Sequence, residues 1–222
     1  MTAPGNGGGF FKRRLLMKVL LINGSPKVNG NTAFALEQMA QVFAELGIET
    51  ETIQVGNQLI RGCQGCGACY KLGKCVFNDD IVNETADKLA QADGMVIGSP
   101  VYYASPNGTL ISFLDRLFYS NSADLRMKVG ASIVCARRGG TTAAMDVLNK
   151  YFTISQMPVA SSSYWNIIHG GKPGEAAQDA EGIRTMRNLA KNMAYMMKAF
   201  AAARDTVELP ENEPKAFTNF IR

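Results

Sequence analysis

Apolar runs and helix-period stripes alternate along almost the whole chain. Val19 to Ile22 is a short continuous apolar run, as expected of a strand buried on both faces. Phe34, Leu36, Met39, Ala40, Phe43 and Leu46 then recur at helical spacing. Ile48 to Val55 alternates apolar and polar side chains and predicts a second strand. From Gln58 to Asp80 neither period holds, and helical spacing returns at Ile81, Val82, Ala86, Leu89 and Ala90. Gly94 to Gly98 predicts a third strand, followed by a helix through Leu110, Phe113, Leu114, Leu117 and Phe118. Val129 to Cys135 predicts a fourth, followed by a helix through Ala144, Val147, Leu148, Tyr151 and Phe152. A fifth, less regular strand is expected around Pro158 to Trp165. A long amphipathic helix from about Glu175 to Arg204 carries Ile183, Met186, Leu189, Ala190, Met193, Met197 and Phe200 on one stripe.

Strands that alternate with helices imply an α/β fold: a doubly wound, parallel, five-stranded sheet in the order 2-1-3-4-5, between two helical layers. In that order a ligand binds beyond the carboxyl ends of strands 1 and 3, where the winding reverses. Both strands run into unusual loops. Gly24-Ser25-Pro26-Lys27-Val28-Asn29-Gly30-Asn31-Thr32 sets small, hydroxyl and amide groups before a helix N-terminus, whose free N–H groups and dipole attract an anion. The Gly-Lys-Ser/Thr of a Walker loop and the Gly-x-Gly-x-x-Gly of a dinucleotide fold are both absent, which argues against a triphosphate or NAD-type grip. The third strand leads into Ser99-Pro100-Val101-Tyr102-Tyr103-Ala104. A phosphate grip opposite tyrosines and backbone amides suits a flat aromatic ligand with one phosphate, which describes FMN better than a dinucleotide. For Gly-Ser-Pro taken alone, an ordinary capped turn into a helix is the competing explanation.

Composition adds limits. With 222 residues, 46% of them hydrophobic, the chain suits one domain, expected at 17–205, between a basic leader at 1–16 and a tail at 206–222. The net charge is +4, and Lys12, Arg13 and Arg14 in the leader supply three of it, so the rest is close to neutral and nucleic acid is not an expected partner. The leader lacks the long apolar core and cleavage site of a signal peptide, and no run is long enough to span a membrane. A soluble, cytoplasmic protein is the expectation.

The 58–80 gap is a long loop holding four of the five cysteines, and long ordered loops are usually functional. Cys63-x2-Cys66-x2-Cys69-x5-Cys75 opens with the spacing that wraps [4Fe–4S] clusters in bacterial ferredoxins. Gly62, Gly65 and Gly67 permit a tight wrap, and Lys71 and Lys74 would offset negative charge. Structural zinc and free or transiently oxidised thiols are the alternatives, whereas a stable disulfide is disfavoured in the cytosol. Cys135, at a strand end, reads as a small buried apolar group, and the single histidine, His169, as structural or surface. Tyr164 and Trp165 are placed over the ligand, over a neighbouring subunit or in the core.

Gly24-Ser25-Pro26 with Gly30-Asn31-Thr32, then Gly98-Ser99-Pro100-Val101-Tyr102-Tyr103, then Arg137-Arg138-Gly139-Gly140-Thr141 together resemble the NADPH-dependent FMN reductase superfamily, which has a flavodoxin-like fold. With the cysteine loop included, the chain is most similar to the iron–sulfur flavoproteins of that group, in which the fourth cysteine is local, as Cys75 is here. The resemblance implies that Ser25, Lys27, Asn31 and Thr32 hold the FMN phosphate and that Ser99, Pro100, Val101, Tyr102, Tyr103 and Ala104 lie along the ring. The loop through Arg137, Gly139 and Gly140 would close over it, with Arg137 or Arg138 beside reduced flavin. It also implies a [4Fe–4S] site at Cys63, Cys66, Cys69 and Cys75, and a homodimer or homotetramer. NAD(P)H or a ferredoxin would be the donor, and a quinone, flavin or similar small molecule the acceptor. The rival is a non-enzymatic FMN electron carrier.

Overall fold

The computed structural model describes residues 16–214, 216–218 and 220. The expected leader therefore lies, except for Leu16, outside the described residues. Strands β1 (Lys18–Asn23), β2 (Glu49–Gln54), β3 (Gly94–Tyr102), β5 (Val129–Ala136) and β6 (Ile167–His169) form a parallel sheet in the order β2-β1-β3-β5-β6. A two-residue strand, β4 (Ser105–Pro106), folds back antiparallel on β3. Leaving out that appendage, the parallel order is the expected 2-1-3-4-5.

Both faces of the sheet are covered, which is why its central strands are apolar throughout rather than alternating. Val19 and Leu21 of β1 point into one core with α1 (Asn31–Glu45) and α6 (Ala180–Ala203); Leu20 and Ile22 point into the other. That second core contains α3 (Val82–Gln91), α4 (Gly108–Ser120) and α5 (Thr141–Ile154). On α6 the methionine stripe is core: Met186, Met193 and Met197 pack against α1 and the sheet. Asp179 caps that helix by accepting from the Gly182 N–H at 2.8 Å, so the helix starts at Ala180, with a short 3-10 turn over Glu175–Gln178 before it.

Three expectations need correction. The last strand is not at 158–165. Val159 makes only an isolated bridge to Gly130, and the chain joins the sheet at Ile167–His169, where apolar residues return after a serine-rich stretch bonded to α6 through Ser161, Ser162 and Ser163. The third strand runs four residues past Gly98, because Ser99 and Pro100 stay in register with Val134 and Cys135 and Tyr102 pairs with Ser105. The cysteine loop is not wholly irregular: α2 (Cys69–Leu72) is one helical turn, ended by Gly73 at φ 67°.

Candidate functional site

Sheet register brings the two loops together. Where β1 ends, the Gly24 N–H donates to the Gly98 carbonyl at 2.8 Å, so the exits of β1 and β3 lie side by side. The exit of β2 closes in from the other flank: Val55 and Gly56 N–H both donate to the Asn23 carbonyl. No side chain fits at 56, where a Cβ would stand 2.2 Å from the carbonyl carbon of Ser25 and 2.4 Å from the Gly24 oxygen. Asn23 and Gln54 complete the support. Asn23 Nδ2 donates to Gln54 Oε1, Gln54 Nε2 donates to the Ser25 carbonyl, and Asn23 Oδ1 accepts from the Ser25 N–H.

On this platform the loop turns into α1. The helix begins at Gly30 in extended conformation with no side-chain cap, so its first N–H groups remain available for a ligand. Ser25 is buried, and its hydroxyl accepts from the Lys27 N–H at 3.1 Å. The mouth of the loop opens on a cleft of about 630 Å³, counting space open to solvent. Ser25, Lys27, Asn31, Thr32, Pro100, Val101, Tyr102 and Arg137 line it, together with Cys135 and Gly170, Gly171 and Pro173. Lys27 and Arg137 are its cations, and no carboxylate lines it among the described residues. An anionic ligand is favoured electrostatically.

Five predicted residues stand elsewhere. Ser99 is fully buried; its hydroxyl donates to the Pro100 carbonyl and accepts from the Asn107 N–H. Tyr103 and Ala104 form the two-residue turn between β3 and β4, with φ of 50° and 59°, and Tyr103 projects fully into solvent. Two consecutive left-handed residues are what a tight primed hairpin requires, a conformation normally left to Asn or Gly. Gly139 is open, and Gly140, at φ 85°, lies so close to Ala104 that a Cβ would stand 2.8 Å from its Cα. The third loop thus leans on the hairpin, and Arg137 alone of its three predicted residues reaches the cleft.

The 170–176 segment after β6 was not foreseen as part of the site. Asn31 ties it down: its Nδ2 donates to the Lys172 carbonyl at 2.8 Å, and its Oδ1 accepts from the Ala176 N–H at 3.2 Å. The Asn31 side chain is therefore committed to that strap. Glu175 accepts from the Gly171 and Lys172 N–H groups, which holds its carboxyl below the ordinary range, and the stem of Arg137 crosses Gly171. Cys135 is buried, and burial, with Asp179 adding to it, pushes its thiol up to about 11, so it is protonated at neutral pH, as expected of a small apolar group. His169 sits beside Asp179 at 3.5 Å, half exposed, in a surface position. Tyr164 and Trp165 pack against each other in a tilted contact, with centroids 5.2 Å apart and planes inclined at 59°, and are exposed.

A second concavity holds the other chemistry. Cys63, Cys66, Cys69 and Cys75 all line one pocket of about 340 Å³, also partly open, with Gln64, Val76, Phe77, Arg116, Tyr119 and Ser120. Among the described residues, no three His, Cys, Asp or Glu side chains are gathered tightly enough to hold one metal ion. All five cysteines are free thiols. The floor of this pocket is Arg116 of α4, 1% exposed, which the sequence reading passed over. It pairs with Asp80, itself buried at 6% side-chain exposure, and donates to the Phe77 and Arg61 carbonyls. The only hint in the sequence is an arginine inside the apolar stripe of a core helix.

A parallel α/β sheet with a phosphate-type loop at its switch point defines the class: a flavodoxin-like, nucleotide-cofactor-binding fold. Solved structures agree with that. The chain superposes on RosB, solved with 8-demethyl-8-formylriboflavin-5'-phosphate bound, with a TM-score of 0.68 at 15% identity, over 93% of this chain and 94% of that one. It also superposes on a flavodoxin from the Archaea with a TM-score of 0.55 at 16% identity, over 82% and 99%. Residues 17–172 match the NADPH-dependent FMN reductase family, and the chain belongs to that family of FMN-binding oxidoreductases. It is 35% identical over 190 residues to an iron–sulfur flavoprotein of Methanocaldococcus jannaschii, covering 82% of this chain and 98% of the relative. No helix among the described residues is long and apolar enough to cross a membrane.

Proposed function

We propose that the protein passes electrons from NAD(P)H or a ferredoxin-type donor to a small acceptor such as a quinone or flavin, with FMN in the cleft at the β1–β3 switch and a [4Fe–4S] cluster in the cysteine pocket. One observation carries this reading. The exits of β1, β3 and β5 and the strap after β6 converge on a single cationic cleft that contains an uncapped helix start. An FMN phosphate would sit at the N-terminus of α1 beside Ser25, Lys27 and Thr32, and the ring would lie along Pro100, Val101 and Tyr102. Asn31 contributes its backbone N–H and, through its side chain, holds the strap in place.

Bound FMN supplies hydride and single-electron exchange. This chain's residues bind, orient and shield it. Lys27 and Arg137, which line the cleft, would neutralise anionic charge, and Arg137 is the candidate to favour negative charge on a reduced ring. Gly170, Gly171 and Pro173 would form one wall around it. No side-chain acid or base is required for hydride transfer itself.

Four thiols lining one pocket, three of them at the Cys-x2-Cys-x2-Cys spacing that wraps four-iron clusters, support a cubane over a single zinc ion, which more often takes two separated pairs. The name of the M. jannaschii relative supports the same assignment. Anaerobic purification followed by an absorption spectrum, FMN titration, iron and acid-labile sulfide assays, and NAD(P)H oxidation with a quinone tests the proposal. A protein that remains colourless with FMN sinks the cleft reading. Flavin bands with no iron remove the cluster alone, and exchange with ferredoxin but no NAD(P)H oxidation makes the protein a carrier.

A further inference from the structure

The four cysteines are held very unequally. Cys63 and Cys66 are exposed on the loop, and Cys69 opens a single helical turn. Cys75 is clamped twice. Asn83 of α3, buried, accepts from the Cys75 N–H at 3.0 Å and donates to the Cys75 carbonyl at 3.0 Å, with further bonds to the Phe77 carbonyl and to Asn78 Oδ1. That clamp grips the backbone. The second grips the sulfur: Arg116 Nε donates to Cys75 Sγ at 3.3 Å, while its two terminal nitrogens are taken by Asp80 and by the Arg61 and Phe77 carbonyls. The guanidinium is thus committed on every side, and of its three nitrogens only Nε is aimed at a cysteine.

Most buried arginines are explained by their carboxylate, and Asp80 would suffice for charge balance. It leaves Nε unexplained, because a lysine could serve Asp80 as well, whereas only a planar fork can hold Asp80 and a sulfur at fixed angles. Every electron added to a thiolate-ligated site brings one more negative charge. A buried cation with an N–H on one of the sulfurs favours that added charge, and hydrogen bonds to the sulfurs are among the factors that set the potential of such sites. Asp80, paired to the same guanidinium, pulls in the opposite direction.

We propose that Arg116 is a positioning residue for the iron–sulfur site: it fixes the Cys75 sulfur and raises the reduction potential there, with Asp80 as the counterweight that limits the rise. This rests on the cluster reading above. The test is redox titration, monitored by absorption and electron paramagnetic resonance, of the anaerobically reconstituted full chain and of Arg116→Lys, Asp80→Asn and Asn83→Ala, each with its iron and sulfide content and melting temperature measured. Arg116→Lys keeps a cation for Asp80 but loses the donor to sulfur. Its reduction becomes about tenfold less favourable, equivalent to about 59 mV more negative for a one-electron couple. Asp80→Asn shifts the potential in the positive direction, and Asn83→Ala weakens iron retention with a smaller shift than either. A purely structural arginine would lower melting temperature in both Arg116→Lys and Asp80→Asn without moving the potentials in opposite directions. Four irons in each protein with potentials unchanged, or shifted to the same side, overturns the assignment to Arg116 and leaves the cluster standing. Wild-type chain that takes up no iron overturns the cluster reading and this one with it.

Discussion

The two concave regions are built by opposite means. The cleft is a product of backbone register: parallel strands deliver the loop exits to one edge, and direct contacts such as Gly24 N–H to Gly98 O and Gly56 against Ser25 fix their spacing. The cysteine pocket is a product of side chains. A loop some twenty residues long leans on α4, and its firm attachments are Arg116, Asp80 and Asn83. A register-built site is formed before its ligand arrives. A loop-built site carries the conformational entropy of its loop, so its occupant must contribute to ordering it. The cleft should therefore be robust to side-chain changes and fragile to added atoms, and the pocket the reverse.

The largest stability effect is expected where the pocket joins the core. Arg116→Met leaves Asp80 buried and unpaired and should cost about 3–5 kcal/mol, read by thermal or denaturant unfolding. A loss below about 1 kcal/mol, the scale of a surface pair, would mean that water reaches Asp80 and that the loop is not anchored as described. Next comes the cleft. Gly56→Ala forces a methyl group into the backbone of Gly24 and Ser25, and relieving that overlap should cost about 1–3 kcal/mol. The platform under the loop must shift, so FMN affinity in the same variant should fall at least about tenfold, a change of roughly 1.4 kcal/mol. Unchanged FMN binding would place the phosphate away from this loop.

The part of the structure that could be read from sequence is the register-built part. Val19 to Ile22 and Val129 to Cys135 are continuous apolar runs because both faces are covered, and the site follows from strand order by topology alone. What escaped depends on partners distant in sequence. Nothing near Asn31 announces that its side chain reaches across 141 residues to the Lys172 carbonyl. Ser99 looked like a loop residue because Ser-Pro punctuates loops, yet pairing with β5 carries the strand through it. Arg116 was hidden by the apolar stripe around it, and its role needs Asp80 and Cys75, neither of them close in sequence.

A third substitution probes the seam between cleft and strap. Asn31→Ala removes both bonds to the 170–176 segment, and at the usual net value of such bonds the loss is about 1–2 kcal/mol. If the strap shields the cleft, hydrogen exchange at 170–176 should rise while the sheet amides stay protected. FMN affinity should fall less than in Gly56→Ala, since the substitution leaves the backbone of the loop and its N–H groups in place. Equal protection of the strap in both proteins would show that Glu175 and the Gly170 N–H bond to the Ala136 carbonyl suffice to hold it.

The smallest effect on the fold, and the sharpest separation of the two regions, is expected from Cys63→Ser. Cys63 is exposed and is not among the clamped residues, so stability of the iron-free chain should change by no more than about 0.5 kcal/mol, the range of ordinary surface substitutions. Iron content should nonetheless fall steeply, because an iron–sulfur site held by four thiolates loses one of them. FMN binding, measured by quenching of flavin fluorescence, should stay at the wild-type level, since no cysteine of the 58–80 loop lines the cleft. Loss of iron together with loss of FMN would break the comparison, since the pocket would then be supporting the cleft. Retention of both would mean that Cys63 is not a ligand and that the loop binds metal, if at all, through fewer thiols.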